Sequence, residues 1–188
     1  EAAGSISFVV AGYDVSTEFY INDTGGQIVN LGRSIMARQL AALELAAEFD
    51  GKPFLFDESN PNAYRGEYIK EIAKSIKRST VEECARLGKE ALLLDIKRDL
   101  EAFRVTFDRW SSEEALRGSG KIESMLEFFR SWGLTYEKDG ALFLKTSSFG
   151  EDQDRPLIKT NGEFVYRLPD LAYHRDKFDR GFDLLINT

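Results

Sequence analysis

Three features of the sequence predict an α/β fold. A β-rich run at 16–22 passes through a turn into a helical pattern, helical periodicity fills the middle of the chain, and two Asp/Asn-Gly hairpin signals lie toward its end. The chain has 188 residues, 43% of them hydrophobic, with 14 Phe. That is enough apolar material for one core and a small appendage.

The elements follow in order. Ser16-Thr17-Glu18-Phe19-Tyr20-Ile21-Asn22 reads as a strand that ends in the turn-like run 22–26. Thr24 and Gln27 have capping-box spacing, and Ile28, Leu31 and Ile35 recur at helical intervals after them. A strand, a tight turn and a helix make half of a nucleotide-binding unit, a pattern that many α/β proteins share. Residues 57–62 read as a loop. Tyr68, Ile72 and Ile76 then predict a helix over 67–78 with one buried stripe. Thr80 and Glu83 form a second capping box, opening a long helix with Ala85, Leu92, Ile96, Leu100 and Phe103 toward the core. Cys84 on that helix reads as a packing residue.

A short strand is expected at 104–108. Ile122, Met125, Leu126 and Phe129 define another helix, closed by Gly133 at its C-terminal end. Asp139-Gly140, between 134–137 and 141–144, and Asn161-Gly162, between 157–159 and 163–166, suit type I′ hairpin turns. Pro169 fits the first position of a helix to about Phe178, and a last strand is expected at 182–186.

Charge and composition exclude several classes. The net charge is −7, from 25 basic and 32 acidic residues, which makes a poor stand-alone partner for nucleic acid. A single Cys leaves no internal disulfide and suits a reducing compartment, and one His with one Cys makes no zinc site of the His/Cys type. The apolar run 6–11 is too short to span a bilayer and has no basic residues before it, so neither signal peptide nor anchor is expected. The expected setting is cytoplasmic. No P-loop, dinucleotide fingerprint or nucleophile elbow is present.

Longer motifs carry a resemblance. They are Ala11-Gly12-Tyr13-Asp14-Val15 with Phe19-Tyr20-Ile21-Asn22-Asp23-Thr24-Gly25-Gly26-Gln27-Ile28, then Tyr64-Arg65-Gly66-Glu67-Tyr68-Ile69-Lys70 and Phe107-Asp108-Arg109-Trp110-Ser111-Ser112-Glu113. Gly120-Lys121-Ile122-Glu123 and Gly133-Leu134-Thr135-Tyr136-Glu137-Lys138-Asp139-Gly140-Ala141-Leu142 follow. Asp154-Arg155-Pro156-Leu157-Ile158-Lys159 and Leu168-Pro169-Asp170-Leu171-Ala172-Tyr173-His174 complete the set. In this order the chain resembles the catalytic region of bacterial-type arginyl-tRNA synthetases from Ala11 to Asn187.

The resemblance implies a partial Rossmann-like nucleotide-binding catalytic domain of the class I synthetases, with a helical and β-hairpin insertion at about 47–165. It also implies ATP as substrate, with Mg²⁺ in the complete enzyme, and arginine, tRNA-Arg and the remaining synthetase domains as partners. The reaction implied is formation of arginyl-adenylate and transfer of arginine to tRNA. The departures are specific. The family's His-x-Gly-His signature is absent, since His174 is the only His; no Lys-Met-Ser-Lys-type loop is found, and Gly26 stands where the family has Asn. Residues 1–10 do not resemble the helix expected there. The sequence is therefore read as a middle portion of the catalytic domain, inactive alone. The alternative is a degenerate, non-catalytic domain that holds arginine or a protein partner.

Within the resemblance, Tyr166 and Asp170 fall on the family's Tyr-x-x-x-Asp pattern for substrate arginine. A carboxylate accepts a planar guanidinium in a two-bond fork, and Tyr offers its hydroxyl or ring face. On residue chemistry alone, Asp170 is better explained as an acid in a first helical turn and Tyr166 as a strand residue, and it is the resemblance that turns the reading toward arginine contact. Asn22, Asp23 and Gln27 are expected beside the active cleft, with turn and capping roles as the plain account. His174, one turn after Asp170, shares its helix face and has no catalytic role assigned.

Overall fold

A computed structural model of the chain describes residues 12–187. The apolar run 6–11 and the helix sought at 1–10 lie outside the described residues. Strand β1, Glu18–Ile21, leads into helix α1, Gly26–Ala41. A two-residue ribbon follows, β2 Glu48–Phe49 with β3 Lys52–Pro53, and then helices α2, Glu67–Ser75, and α3, Val81–Ala102. Strand β4, Arg109–Ser112, runs into α4, Glu113–Gly118, and then α5, Lys121–Ser131. Strands β5, Thr135–Lys138, β6, Ala141–Leu144, and β7, Arg155–Ile158, form an antiparallel sheet, and α6, Arg167–Asp179, follows. No helix among the described residues is long and apolar enough to cross a membrane.

β1 and β4 pair in parallel, with Phe19 opposite Trp110 and Ile21 opposite Ser112. Parallel sheets are generally covered on both faces; here every residue of the two strands is half-buried except the exposed Arg109. Phe19 and Ile21 line a groove with Ile28 and Leu31 of α1 and Leu92, Leu93 and Ile96 of α3. Tyr20 instead packs its ring on Tyr173 of α6 at 4.3 Å. Asp108 ties the two strand starts together, accepting from the Thr17 amide at 2.7 Å and its hydroxyl at 2.9 Å.

Two cores flank this pair. One joins Leu31 and Ile35 of α1, Ile69 and Ile72 of α2, and Cys84 of α3. Gly32 and Gly88 let α1 and α3 approach closely: a Cβ on Gly32 would lie 2.3 Å from the Val81 carbonyl, and one on Gly88 2.2 Å from Ile35 Cδ1. The other core sets Ile122, Leu126 and Phe129 of α5 and Leu168 and Ala172 of α6 against Leu142, Leu144 and Leu157 of the antiparallel sheet.

Several expectations hold. The Thr80 hydroxyl caps α3 by accepting from the Glu83 amide. Gly133 closes α5 in the left-handed conformation, φ 65°, with the Gly133 and Leu134 amides returning to Arg130 and Phe129. Asp139 and Gly140 both take positive φ, 51° and 77°, as a type I′ turn requires.

Others are corrected. Gly25, not Thr24, is the N-cap of α1 and no side chain caps it, so the Thr24–Gln27 box does not form. In α2 the buried stripe is Ile69, Ile72 and Ala73, one column round from the predicted one, and Tyr68 is exposed. The far half of α3 leaves the core: Ile96 is 39% and Phe103 82% exposed. The strand expected at 104–108 starts later, because Arg104 at φ 58° and Val105 close α3 by bonding back to Glu101 and Leu100.

At the second hairpin Asn161 is not left-handed. Gly162 alone takes φ 82°, and the bonds from Gly162 to Lys159 and from Lys159 to Glu163 make a three-residue loop with a bulge. Pro169 occupies the third helical position, not the first, with Tyr166 as N-cap; Tyr166 therefore leaves the hairpin strand. Residues 182–186 form no strand.

Candidate functional site

The C-terminal ends of parallel strands are where α/β folds place ligands. Here β1 ends in the turn 22–25 and β4 ends at the start of α4. Asp23 clamps the two together. Its carboxylate, only 6% exposed, accepts from the Ser112 hydroxyl at 2.7 Å, the Glu114 amide at 2.9 Å and, at longer range, Lys89 Nζ of α3 at 3.5 Å. Lys89 Nζ also meets Glu114 at 2.6 Å. Burial alone would raise the Asp23 carboxyl, but the Glu114 amide, Ser112 and Lys89 hold it below the usual carboxylate range. Ser112 meanwhile accepts from the Ala115 amide, so one hydroxyl caps α4 and donates to the turn.

Asn22 and Gln27 lie on the same turn and helix start and are exposed, with no side-chain hydrogen bond among the described residues. Tyr20, Tyr173, Asp170 and His174 meet on the other face. Burial raises the Tyr20 hydroxyl, and the charges of Glu113, Asp170 and Asp23 add to that against the opposing Arg117. Asp170 is exposed in the first turn of α6, its amide bonded to the Tyr166 carbonyl at 3.3 Å. Tyr166 is 69% exposed. His174 is half-buried; burial and the neighbouring Lys177 lower its pKa, which Asp170 partly offsets.

The acids around Asp170 are paired. Glu113 takes two bonds from Arg117, at 2.9 and 2.7 Å. Glu18 binds Arg180 at 2.7 Å and the Ser111 hydroxyl. Asp176 binds Arg180 at 3.1 Å and Lys121. Burial would raise the Glu18 carboxyl, but the bonds from Ser111, Arg180 and Tyr173 hold it low. Asp170, by contrast, has no ion pair or side-chain hydrogen bond among the described residues.

The structure thus brings Asp23, Asp170 and His174 around the Tyr20–Tyr173 stack, with Tyr166 one turn before Asp170. Sequence reasoning missed Tyr20, Lys89, Ser112, Glu113 and the Glu18–Arg180 pair. Lys89 and Ser112 reach Asp23 across 66 and 89 positions and Arg180 reaches Glu18 across 162, separations that no local spacing marks; the Glu113–Arg117 pair is local, four residues apart on one helix. A second cleft, of about 270 Å³, lies farther back along β1 between Glu18, Phe107, Tyr173 and Lys177, closed by Ile186 and Asn187.

No family model matches the chain. The arginine–tRNA ligase of Oceanobacillus iheyensis is 43% identical over 193 residues, 96% of this chain and 33% of that protein. That of Bacillus subtilis is 46% identical over 190 residues, 95% of this chain and 32% of its own length. In three dimensions the chain superposes on an arginyl-tRNA synthetase structure from Campylobacter jejuni with TM-score 0.79 at 27% identity, covering 96% of this chain and 40% of that one. The Thermus thermophilus arginyl-tRNA synthetase, at TM-score 0.55 and 19% identity over 90% of this chain and 30% of its own, shares the fold. The chain spans about a third of the curated relatives it matches. Sequence and fold together make these 188 residues similar, over nearly their whole length, to arginine–tRNA ligases, of whose own length they match about one third.

Proposed function

We propose that this chain carries the arginine-recognising part of an arginine–tRNA ligase, in which Asp170 accepts the substrate guanidinium and Tyr166 lines its approach. The observation that supports this most is Asp170 itself, an acid without a cation among the described residues, whereas Glu18, Asp23, Glu113 and Asp176 are each paired with one. In the whole enzyme the activity would be ATP-dependent activation of arginine and its transfer to tRNA-Arg, in the cytoplasm. Residues of about 47–165 would form the insertion, and Asn22, Asp23, Gln27 and His174 would border the cleft.

Adenylate formation builds negative charge at a phosphorus atom. Removing one preorganised donor to such charge costs about 10²–10³ in rate. Without the His-x-Gly-His signature and the Lys loop, the 188 residues hold arginine but do not activate it. The Mg²⁺ that accompanies ATP in the complete enzyme finds no group of three or more His, Cys, Asp or Glu among the described residues able to hold it.

Calorimetric titration of the folded chain with arginine tests the reading. Binding is expected, with Asp170→Asn weakening it at least tenfold. No heat at millimolar arginine, or unchanged affinity in the variant, would sink it. Pyrophosphate exchange into ATP is expected to be absent. A second reading, a non-catalytic domain that holds a protein partner, draws on the exposed Leu94 and Ile96 of α3 and Phe103 just past its end. It is favoured if the chain fails to bind arginine.

A further inference from the structure

Two complementary groups lie within electrostatic reach of each other, each without a hydrogen-bond partner among the described residues. The Tyr20 hydroxyl is buried and makes no hydrogen bond among the described residues. The Asp170 carboxylate makes none among the described residues either. A buried hydroxyl left unmatched costs about 1–3 kcal/mol, so its persistence calls for a reason. The fold brings the two near each other: the Tyr20 ring lies on Tyr173 at 4.3 Å, and Tyr173 follows Asp170 by three residues on one face of α6. The charge of Asp170 acts on the Tyr20 hydroxyl. The competing acids are committed, Glu113 to Arg117 and Asp23 to Ser112, Lys89 and the Glu114 amide.

We propose that Tyr20 is a positioning residue of the arginine site, whose hydroxyl donates to the Asp170 carboxylate once a guanidinium draws that carboxylate inward. This rests on the reading of Asp170 given above. A carboxylate has about four lone-pair sites, so a two-bond guanidinium fork leaves room for the phenol. The phenol acts through Asp170: it fixes the rotamer that presents both oxygens to the ligand. The ligand class is a planar, singly substituted guanidinium carrying full positive charge.

The test compares the full chain, Tyr20→Phe and Asp170→Asn by arginine calorimetry and urea unfolding, with citrulline as the uncharged probe. Tyr20→Phe removes an unmatched hydroxyl, so its urea midpoint is expected to be equal or higher. Its arginine affinity is expected to fall by about tenfold to a hundredfold, the loss of a hydrogen bond to a charged group. At saturating arginine the perturbation of the tyrosine near-ultraviolet spectrum should be smaller in the variant than in the parent, since Tyr166 remains at the site. Citrulline should bind neither protein. If Tyr20→Phe binds arginine like the parent while Asp170→Asn does not, the inference falls and the Asp170 reading stands. If the parent binds no arginine, both fall.

Discussion

Removing the Asp23 carboxylate leaves the Ser112 hydroxyl, the Glu114 amide and the Lys89 ammonium without the acceptor they share. Asp23→Ala should therefore cost about 2–4 kcal/mol in urea unfolding at neutral pH. Its neighbour Asn22 is exposed, and Asn22→Ala should stay within about 0.5 kcal/mol. The fold lowers the Asp23 pKa from 3.8, so its contribution is complete above that value and is lost as pH falls through the folded one. The gap between parent and Asp23→Ala should accordingly close in acid. If it stays constant down to pH 2, the carboxylate is not the group responsible. At this scale the sequence named the turn and did not rank its residues. Asn22, Asp23 and Gln27 look alike as turn formers, and only tertiary partners single out the middle one.

Elements were legible where their ends carry their own chemistry. Thr80, Gly133 and Asp139-Gly140 fix a cap, a helix stop and a turn through local geometry, and each does so in the structure. The end of α3 was not legible, because Arg104 takes the left-handed position that glycine usually marks. The α1–α3 contact hides in the same way, since two glycines within helices read as weak helix formers. Gly88→Ala sets helix propensity, a gain of about 1 kcal/mol, against a clash with the Ile35 side chain. Gly32→Ala meets the backbone carbonyl of Val81, which cannot rotate away. Gly32→Ala should lower stability by about 1–3 kcal/mol, and Gly88→Ala by less, as Ile35 can change rotamer. Equal thermal midpoints for the two variants would show that the helices are not in close contact.

Over the whole molecule, the expected strand at 182–186 shows what a sequence pattern leaves out. Alternation reports which faces are covered, whereas a strand also needs a neighbour to bond with. Among the described residues β1 and β4 pair only with each other. Residues 186 and 187 instead close the cleft beside Lys177, whose Nζ donates to Asn187 at 2.9 Å. The ionisable groups give a pH signature for the folded chain. The fold favours neutral His174, so the unfolded chain takes up that proton first and stability declines as pH drops below 6.5. A steeper loss should begin below 4.5, where Glu18, Asp23 and Asp176 are protonated in the unfolded chain while the fold still holds them charged. Thermal midpoints measured from pH 8 to 3 should show both declines. His174→Gln should erase the first alone.

The mounting of α6 has a mechanical consequence. Arg180, just past its last turn, is moored to Glu18 and Asp176, and Tyr173 at its waist rests on Tyr20. Its opening turn, with Tyr166 and Asp170, reaches solvent. Leu168 and Pro169 of that turn are buried, so the helix is a rod pinned at its bow as well, and a bound guanidinium would turn the side chains of Tyr166 and Asp170 without shifting the helix beneath them.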